Sequence, residues 1–263
     1  MAGQTRRAFL IVLALGGLPA SAQDAGPVAV DARIVLAVDA SRSMDLGEFQ
    51  LQRDGYRAAL RHPDLARAIA AGWRGRVAIA YFEWSGYAQD GHLVPWRIID
   101  GPEAASALAE EIGSMPVRRS RGTSIARALA FATVLLDDDL IEAPRSIIDV
   151  SGDGANNTGP PVTQARDAAV ARGITVNGLP VMAFGGTSTP DLDHYYEDCV
   201  IGGAGAFVMV ARDAAELAAT IRRKLVVEVS GATPPERVIP AQLRQPADCL
   251  IGEKMYRMRD WGR

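Results

Sequence analysis

Histidine, lysine and cysteine are scarce in this chain, and each shortage narrows what the chain can do. The histidines are His62, His92 and His194. None sits in a recognisable nucleophile motif, and no Gly-x-Ser-x-Gly elbow occurs. The lysines are Lys224 and Lys254, and neither follows a glycine-rich turn, so there is no phosphate loop. The glycine cluster Gly202-Gly203-Ala204-Gly205 precedes an apolar run instead of following one, which argues against a dinucleotide fingerprint. No apolar stretch reaches the roughly 20 residues that a membrane-spanning helix needs. A surplus of positive charge is also missing. Formal net charge is −3, and it becomes −5 if residues 1–22, which carry Arg6 and Arg7, are removed. That balance argues against nucleic acid and anionic membrane surfaces as partners.

The 263 residues are 48% hydrophobic and 22% charged, which suits a globular chain with one substantial core and a single domain of about 200 residues. The amino end reads as a targeting segment. Thr5-Arg6-Arg7-Ala8-Phe9-Leu10 leads into an apolar stretch over 10–18, and Ala20-Ser21-Ala22 is a small-residue cleavage signature. Thr-Arg-Arg-x-Phe-Leu also resembles the twin-arginine export signal, although Ile11 stands where a Lys usually follows. The expectation is an exported chain, periplasmic or extracellular, whose signal peptide is residues 1–22. Cys199 and Cys249 both lie in the exported part, where a pair is expected to be bridged.

Hydrophobic periodicity alternates between strand and helix. An apolar run over 34–38 predicts a buried strand, and 46–71 predicts a helix that restarts at Pro63. Strands follow over 76–84 and 92–99, the second a hairpin partner of the first, then a helix over 102–112. Further on come a helix over 125–136, a strand over 146–150, a helix over 161–172 and a strand over 174–181. The last elements are a short acidic helix over 191–198, a strand over 206–210 and a long helix over 213–229. The implied fold class is α/β, a doubly wound, mostly parallel sheet with helices on both faces and one antiparallel edge strand. Residues 231–263, rich in Pro, Arg and polar residues, read as an irregular extension.

Three strand or loop ends carry hard oxygen donors: Asp39-Ala40-Ser41-Arg42-Ser43, Gly122-Thr123 and Gly152-Asp153-Gly154. One carboxylate and two hydroxyls within five residues are the donor set that Mg²⁺ or Mn²⁺ prefers. Each end also has an ordinary alternative. Thr123 can cap its helix, Asp153 can form a turn with Gly154, and serines are common at turns.

The order and types of these residues resemble the von Willebrand factor type A (VWA) domain and its metal-ion-dependent adhesion site: Asp-x-Ser-x-Ser, then Thr, then Asp followed by Gly. Asp39, Ser41, Ser43, Thr123 and Asp153 match all five positions, and the resemblance spans residues 32–230. It is to a secreted bacterial member, of a group without assigned function. The resemblance implies that Ser41 and Ser43 ligate a divalent cation (Mg²⁺, or Mn²⁺ or Ca²⁺) directly, and that Thr123 does so directly or through water. Asp39 and Asp153 act mainly through bound waters. The cation then takes an Asp or Glu carboxylate from a partner protein. A structural or assembly component without exchangeable metal is the alternative, and a metal-dependent hydrolase ranks below it because no general base accompanies the site.

Weaker candidates surround this set. Glu83 and Trp84 end the second strand on the same rim, although alternation turns one of them inward and a Trp there often serves packing. Asn156 and Asn157 follow Asp153 closely enough to touch a ligand. Asp45 reads first as a helix-start acid. Asp191, Asp193, His194, Glu197 and Asp198 offer a second cation cluster, with a solvated acidic face as the ordinary alternative.

Overall fold

The apolar run after Arg33 sits at the centre of the molecule. In a computed structural model of the chain, which describes residues 26–86, 88–183, 189–233 and 245–261, β2 (Arg33–Asp39) is flanked on both sides by parallel strands. The short β1 (Val28–Ala29) precedes it. The chain continues through α1 (Leu46–Leu60), α2 (Pro63–Ala70), β3 (Val77–Trp84), β4 (Ala88–Ile99), α3 (Pro102–Ser114) and α4 (Ile125–Leu135). Then come β5 (Ile141–Glu142), β6 (Ser146–Gly152), α5 (Val162–Val170), β7 (Thr175–Pro180) and α6 (Leu192–Tyr195), which runs into a π-helical turn (Tyr196–Val200). The chain closes with α7 (Leu217–Ser230) and α8 (Ile251–Trp261). The main sheet has the order β4-β3-β2-β6-β7, parallel except for the β3–β4 hairpin, and β1 pairs separately with β5. This is the expected doubly wound α/β fold. Residues 1–22, expected as a signal peptide, lie outside the described residues.

Because β2 is buried on both faces, alternate side chains enter two cores. Ile34, Leu36 and Val38 pack with Tyr56, Leu60, Leu65, Ile112 and Ile221 from the helices of one layer. Val35 and Ala37 pack with Leu129, Ala169 and Tyr196 on the other. Each such aliphatic side chain contributes roughly 1.5–3 kcal/mol relative to exposure. Helix starts follow local chemistry. Asp45 and Glu48 form a reciprocal capping box at the start of α1, so Asp45 is indeed a helix-start acid. His62 caps α2 with Pro63 in its first turn. Gly55 permits α1 to approach α7, since a Cβ there would lie 2.7 Å from Ile221 Cδ1.

Two expectations need correction. Residues 206–210 do not form a full strand; the segment meets β7 and the residues after it through isolated parallel bridges at Gly178–Val208 and Val181–Ala211 and a few backbone hydrogen bonds. The cause is local: Phe207 N–H donates to the Asn177 side-chain oxygen (3.1 Å), which takes a donor out of the backbone ladder. The extension after 231 is not irregular throughout, because α8 occupies 251–261. A sparse apolar pattern hid this helix. It is held by packing, its Gly252 lying so close to Asn156 that a Cβ would sit 2.1 Å from the Asn156 carbonyl oxygen.

Cys199 and Cys249 are joined in a disulfide, as expected, and it closes a separation of 50 residues. The bridge ties α8 to the π-helical turn. Ala247 N–H donates to Asp198 Oδ2 (2.7 Å) beside it. The double variant Cys199→Ser/Cys249→Ser is expected to lose about 4 kcal/mol of unfolding free energy in urea titrations, the chain-entropy value for a loop of this size.

Candidate metal centre

In an open α/β sheet the loops at the carboxyl ends of the strands meet where the strand connections diverge. Here the connections diverge between β2, which continues toward β3, and its other neighbour β6. The loops after these two strands carry Asp39-Ala-Ser41-Arg-Ser43 and Asp153. Asp39 is fully buried and Asp153 nearly so, while Ser43 is exposed. Their oxygens form one chain. Ser41 N–H donates to Asp39 Oδ1 (2.6 Å), the Ser41 and Ser43 hydroxyls share a hydrogen bond (2.5 Å), and the Ser43 hydroxyl donates to Asp153 Oδ1 (2.6 Å).

Thr123 is supplied by a neighbouring loop. Arg42 N–H donates to the Ser120 carbonyl (3.0 Å) and Ser124 N–H to the Ser85 carbonyl (3.0 Å), so the 120–124 segment lies between the β2 and β3 loops. Gly122 has φ +82°, and a Cβ there would lie 3.0 Å from Thr158 Cγ2. Only glycine meets both conditions without strain. Asn157 clasps Thr123 on both sides: its side-chain oxygen accepts from Thr123 N–H (2.9 Å) and its N–H donates to the Thr123 carbonyl (2.9 Å). Thr123 is buried. The structure thus gathers Asp39, Ser41, Ser43 and Asp153 into one hydrogen-bonded array and sets Thr123 on the adjoining loop.

Asp39 Oδ2 has no hydrogen-bond partner although it is buried. A bare buried carboxylate oxygen carries a desolvation cost of several kcal/mol unless a positive charge answers it. The cost appears in the protonation equilibria. Burial, and then the nearby Asp153 charge, hold the Asp39 carboxyl well above the ordinary carboxylate range. Burial likewise raises Asp153, against the hydrogen bond from Ser43. Gly152 shapes this space, since a Cβ there would meet Asp39 Oδ2 at 2.9 Å and the Tyr196 hydroxyl at 3.0 Å. Two carboxylates and a cluster of hydroxyls, with one oxygen left unanswered, are a donor set that fits a hard divalent cation. Among the described residues no group of three or more His, Cys, Asp or Glu side chains could hold a metal, so any cation here would depend on hydroxyls and water.

Several supporting residues were invisible in the motif. Gln52 Nε2 donates to the Asp39 carbonyl (3.0 Å) from α1. One Arg119 nitrogen donates to the carbonyls of Ser41 (3.0 Å) and Met44, which braces the loop from outside. Gln52 had a faint signal, as a polar residue on the inward face of an amphipathic helix.

The rim expectations do not hold. Glu83 and Trp84 are both buried. Glu83 forms a two-pronged ion pair with Arg53 (2.8 Å to each oxygen) and accepts from Tyr81 Oη (2.9 Å), and Trp84 packs in the core under α4. With Arg53 of α1 over one face of the strand end and the α4 side of the core over the other, alternation leaves neither side chain outside. Asn156 is also buried. It accepts from Ala126 N–H (3.0 Å) and donates to the Pro160 carbonyl (3.0 Å) and Glu253 (2.7 Å), so it joins α4 and α8. Among the described residues the acidic 191–198 segment offers no cluster of three metal-ligating side chains: Asp193 is buried against Arg212 and held below the ordinary carboxylate range by burial-opposing hydrogen bonds from Arg212 and His194. Asp198 binds the backbone of residue 247.

Comparison with known proteins extends these observations. A family model described as a protein of unknown function, DUF1194, matches residues 29–233. The chain belongs to this family. No curated protein matches it in sequence. Among solved structures, the DUF1194 chain is similar to proximal thread matrix protein 1 of the mussel byssus, in a form with a zinc-occupied MIDAS motif (TM-score 0.52, 17% identity, 78% of this chain and 49% of that one). It is similar to the pilus adhesin SpaC of Lactobacillus rhamnosus GG in an open conformation (TM-score 0.56, 14% identity, 79% and 30%). It is also similar to the vWF domain of the type V pili tip protein Mfa5 of Porphyromonas gingivalis (TM-score 0.51, 11% identity, 80% and 98%). The chain spans about half the length of the mussel protein and under a third of SpaC. At these identities the likeness shows the fold, which is the VWA fold that the motif order resembles.

The raised carboxyls have a consequence for stability. A carboxyl that binds its proton more tightly in the folded than in the unfolded chain contributes stability that is lost as pH rises from the ordinary carboxylate range toward its raised folded value. Chelator-treated protein is therefore expected to lose thermal stability as pH is raised from about 4 toward neutrality, with Asp39→Asn flattening that slope. Gly152→Ala is expected to lower stability by about 1–3 kcal/mol in urea titrations, because its new methyl meets Asp39 Oδ2 inside contact distance.

Proposed function

We propose that this DUF1194 chain is an exported, metal-ion-dependent protein-binding module. The observation that carries the reading is the orphaned Oδ2 of Asp39, at the head of the oxygen chain through Ser41, Ser43 and Asp153. Ser41 and Ser43 would hold the cation directly and Thr123 directly or through water, with Asp39 and Asp153 orienting bound waters. Mg²⁺ suits the all-oxygen set, with Mn²⁺ or Ca²⁺ as substitutes. A bound cation supplies an under-neutralised positive charge, to which an Asp or Glu of a partner protein is the complementary ligand.

The chain's own residues do the rest. Arg119 and Gln52 fix the loop backbone. Asn157 fixes Thr123. The exposed Ser43 leaves the array open on its outer side. The zinc-occupied motif of the mussel protein and the adhesin and pilus-tip roles named for the bacterial proteins support this class of function. Export to the periplasm or beyond agrees with the amino-terminal sequence pattern. No helix among the described residues is long and apolar enough to cross a membrane.

A second reading has an observation of its own. The Ser41–Ser43–Asp153 hydrogen bonds are complete without any ion, which suits a structural component with no exchangeable metal. Calorimetric titration with Mn²⁺ separates the two. The metal-dependent reading expects saturable binding to the wild type and at least a tenfold loss in Asp39→Ala and in Ser41→Ala. Equal binding by wild type and Asp39→Ala sinks it. Thermal stability indifferent to both Mg²⁺ and chelator supports the structural component.

A further inference from the structure

Arginine is distributed unevenly by state in this molecule. Most guanidiniums are engaged: Arg53 with Glu83, Arg61 with Glu110, Arg97 with Glu111, Arg172 with Asp137 and Arg212 with Asp193 form ion pairs. Arg33, Arg76, Arg119 and Arg145 donate to backbone carbonyls. Among the described residues, the arginines whose guanidinium makes no such bond are Arg42, Arg74, Arg118 and Arg121. All but Arg74 root at the candidate metal centre. Arg42 lies between Ser41 and Ser43, and its N–H donates to the Ser120 carbonyl. Ser41 and Ser120 form a parallel bridge, so Arg118 and Arg121 leave the strip of chain laid beside that loop. All three side chains are exposed. The acids nearest in sequence, the exposed Asp45 and the half-buried Glu48, are turned to each other's backbone in the capping box of α1. On a chain of net negative charge, three exposed guanidiniums without side-chain partners are thus gathered beside one loop.

We propose that these arginines make the rim of the metal centre a docking surface for an acidic stretch of a partner protein. One carboxylate reaches the cation, and flanking carboxylates pair with Arg42, Arg118 and Arg121. This inference rests on the metal-dependent reading above. The physical argument is that several exposed like charges gathered around one site repel each other, and a polyanionic ligand relieves that repulsion better than dispersed counterions do. Exposed pairs are individually weak, so the three act as a selector among acidic ligands and the cation remains the anchor. The occupant is an acidic polypeptide because the metal-dependent reading places a partner protein's Asp or Glu carboxylate on the cation; a polyanion held by the arginines alone would bind without metal.

The test is fluorescence polarisation with two labelled octapeptides, one carrying Glu at alternate positions and one carrying a single central Glu among serines, on the mature chain in Mg²⁺ and in chelator. Wild type is expected to bind the Glu-rich peptide roughly tenfold tighter than the single-Glu peptide, in Mg²⁺ only. The triple variant Arg42→Gln/Arg118→Gln/Arg121→Gln is expected to lose that preference while keeping its Mn²⁺ affinity by calorimetry and its single-Glu binding. Arg74→Gln is the control and should change nothing. Equal binding of both peptides by metal-loaded wild type, no binding of either, or a preference that survives in the triple variant overturns the inference. So does a heparin fragment that binds as tightly in chelator as the Glu-rich peptide binds in Mg²⁺. A wild type that takes up no Mn²⁺ at all overturns the metal-dependent reading first, and this inference with it.

Discussion

The burial of one carboxylate, Asp39, constrains the rest of the structure around the site. The central strand is buried on both faces, so the residue that ends it has no route to water for its side chain. One of its oxygens is answered by the Ser41 amide and the other by nothing. Holding a polar group in that condition requires its surroundings to be fixed. Gln52 secures its carbonyl from one layer of helices, and Gly152 withholds a side chain on the neighbouring strand. The Tyr196 ring closes the other layer. Side-chain burial, strand order and loop conformation are in this sense one feature.

Other buried charges are handled differently, and the contrast is informative. Arg53 and Glu83 neutralise each other with near-parallel hydrogen bonds and a Tyr81 hydroxyl. Lys224 lies between Asp149 (2.7 Å) and Glu228 (2.5 Å), with Asn177 donating to Glu228 (2.9 Å). Burial and the Asp149 charge push the Glu228 carboxyl up to about 8. Such clusters are weak sources of net stability, but they penalise any packing that separates their members. The carboxylates of the candidate centre have no cationic side chain seated between them. That difference sets the carboxylates of the β2–β6 crevice apart from the other buried charges of the molecule.

The segment beyond the family-matched residues adds a brace. The match ends at residue 233, yet α8 lies against the loop that follows Asp153. Glu253 accepts from Asn156, Gly252 packs on the Asn156 carbonyl, and the Cys199–Cys249 bridge anchors the start of the helix. Since Asn157 in that loop clasps Thr123, the extension stiffens the surroundings of the candidate centre from behind. In an exported chain a covalent anchor of this kind persists.

By itself the sequence determined the alternation of strands and helices, the parallel sheet with its antiparallel hairpin and the cysteine pair. It also placed Asp39, Ser41, Ser43 and Asp153 in one motif, the four residues that the fold joins by hydrogen bonds. These follow from local periodicity, from turn and cap chemistry, and from a motif whose order survives in one dimension. Only the tertiary structure decided that Glu83, Trp84 and Asn156 face inward, because whether a strand end or a loop is covered depends on what packs over it. It also decided that residues 206–210 bridge without completing a strand, that 251–261 are helical, and that Arg119 and Gln52 serve the loop. Those outcomes rest on contacts between residues tens of positions apart, for which periodicity carries no information. The same holds for the unpaired arginines. Their positions are written in the chain, but that the Arg42, Arg118 and Arg121 guanidiniums lack partners where nearly every other arginine among the described residues has one is a property of the folded surface alone.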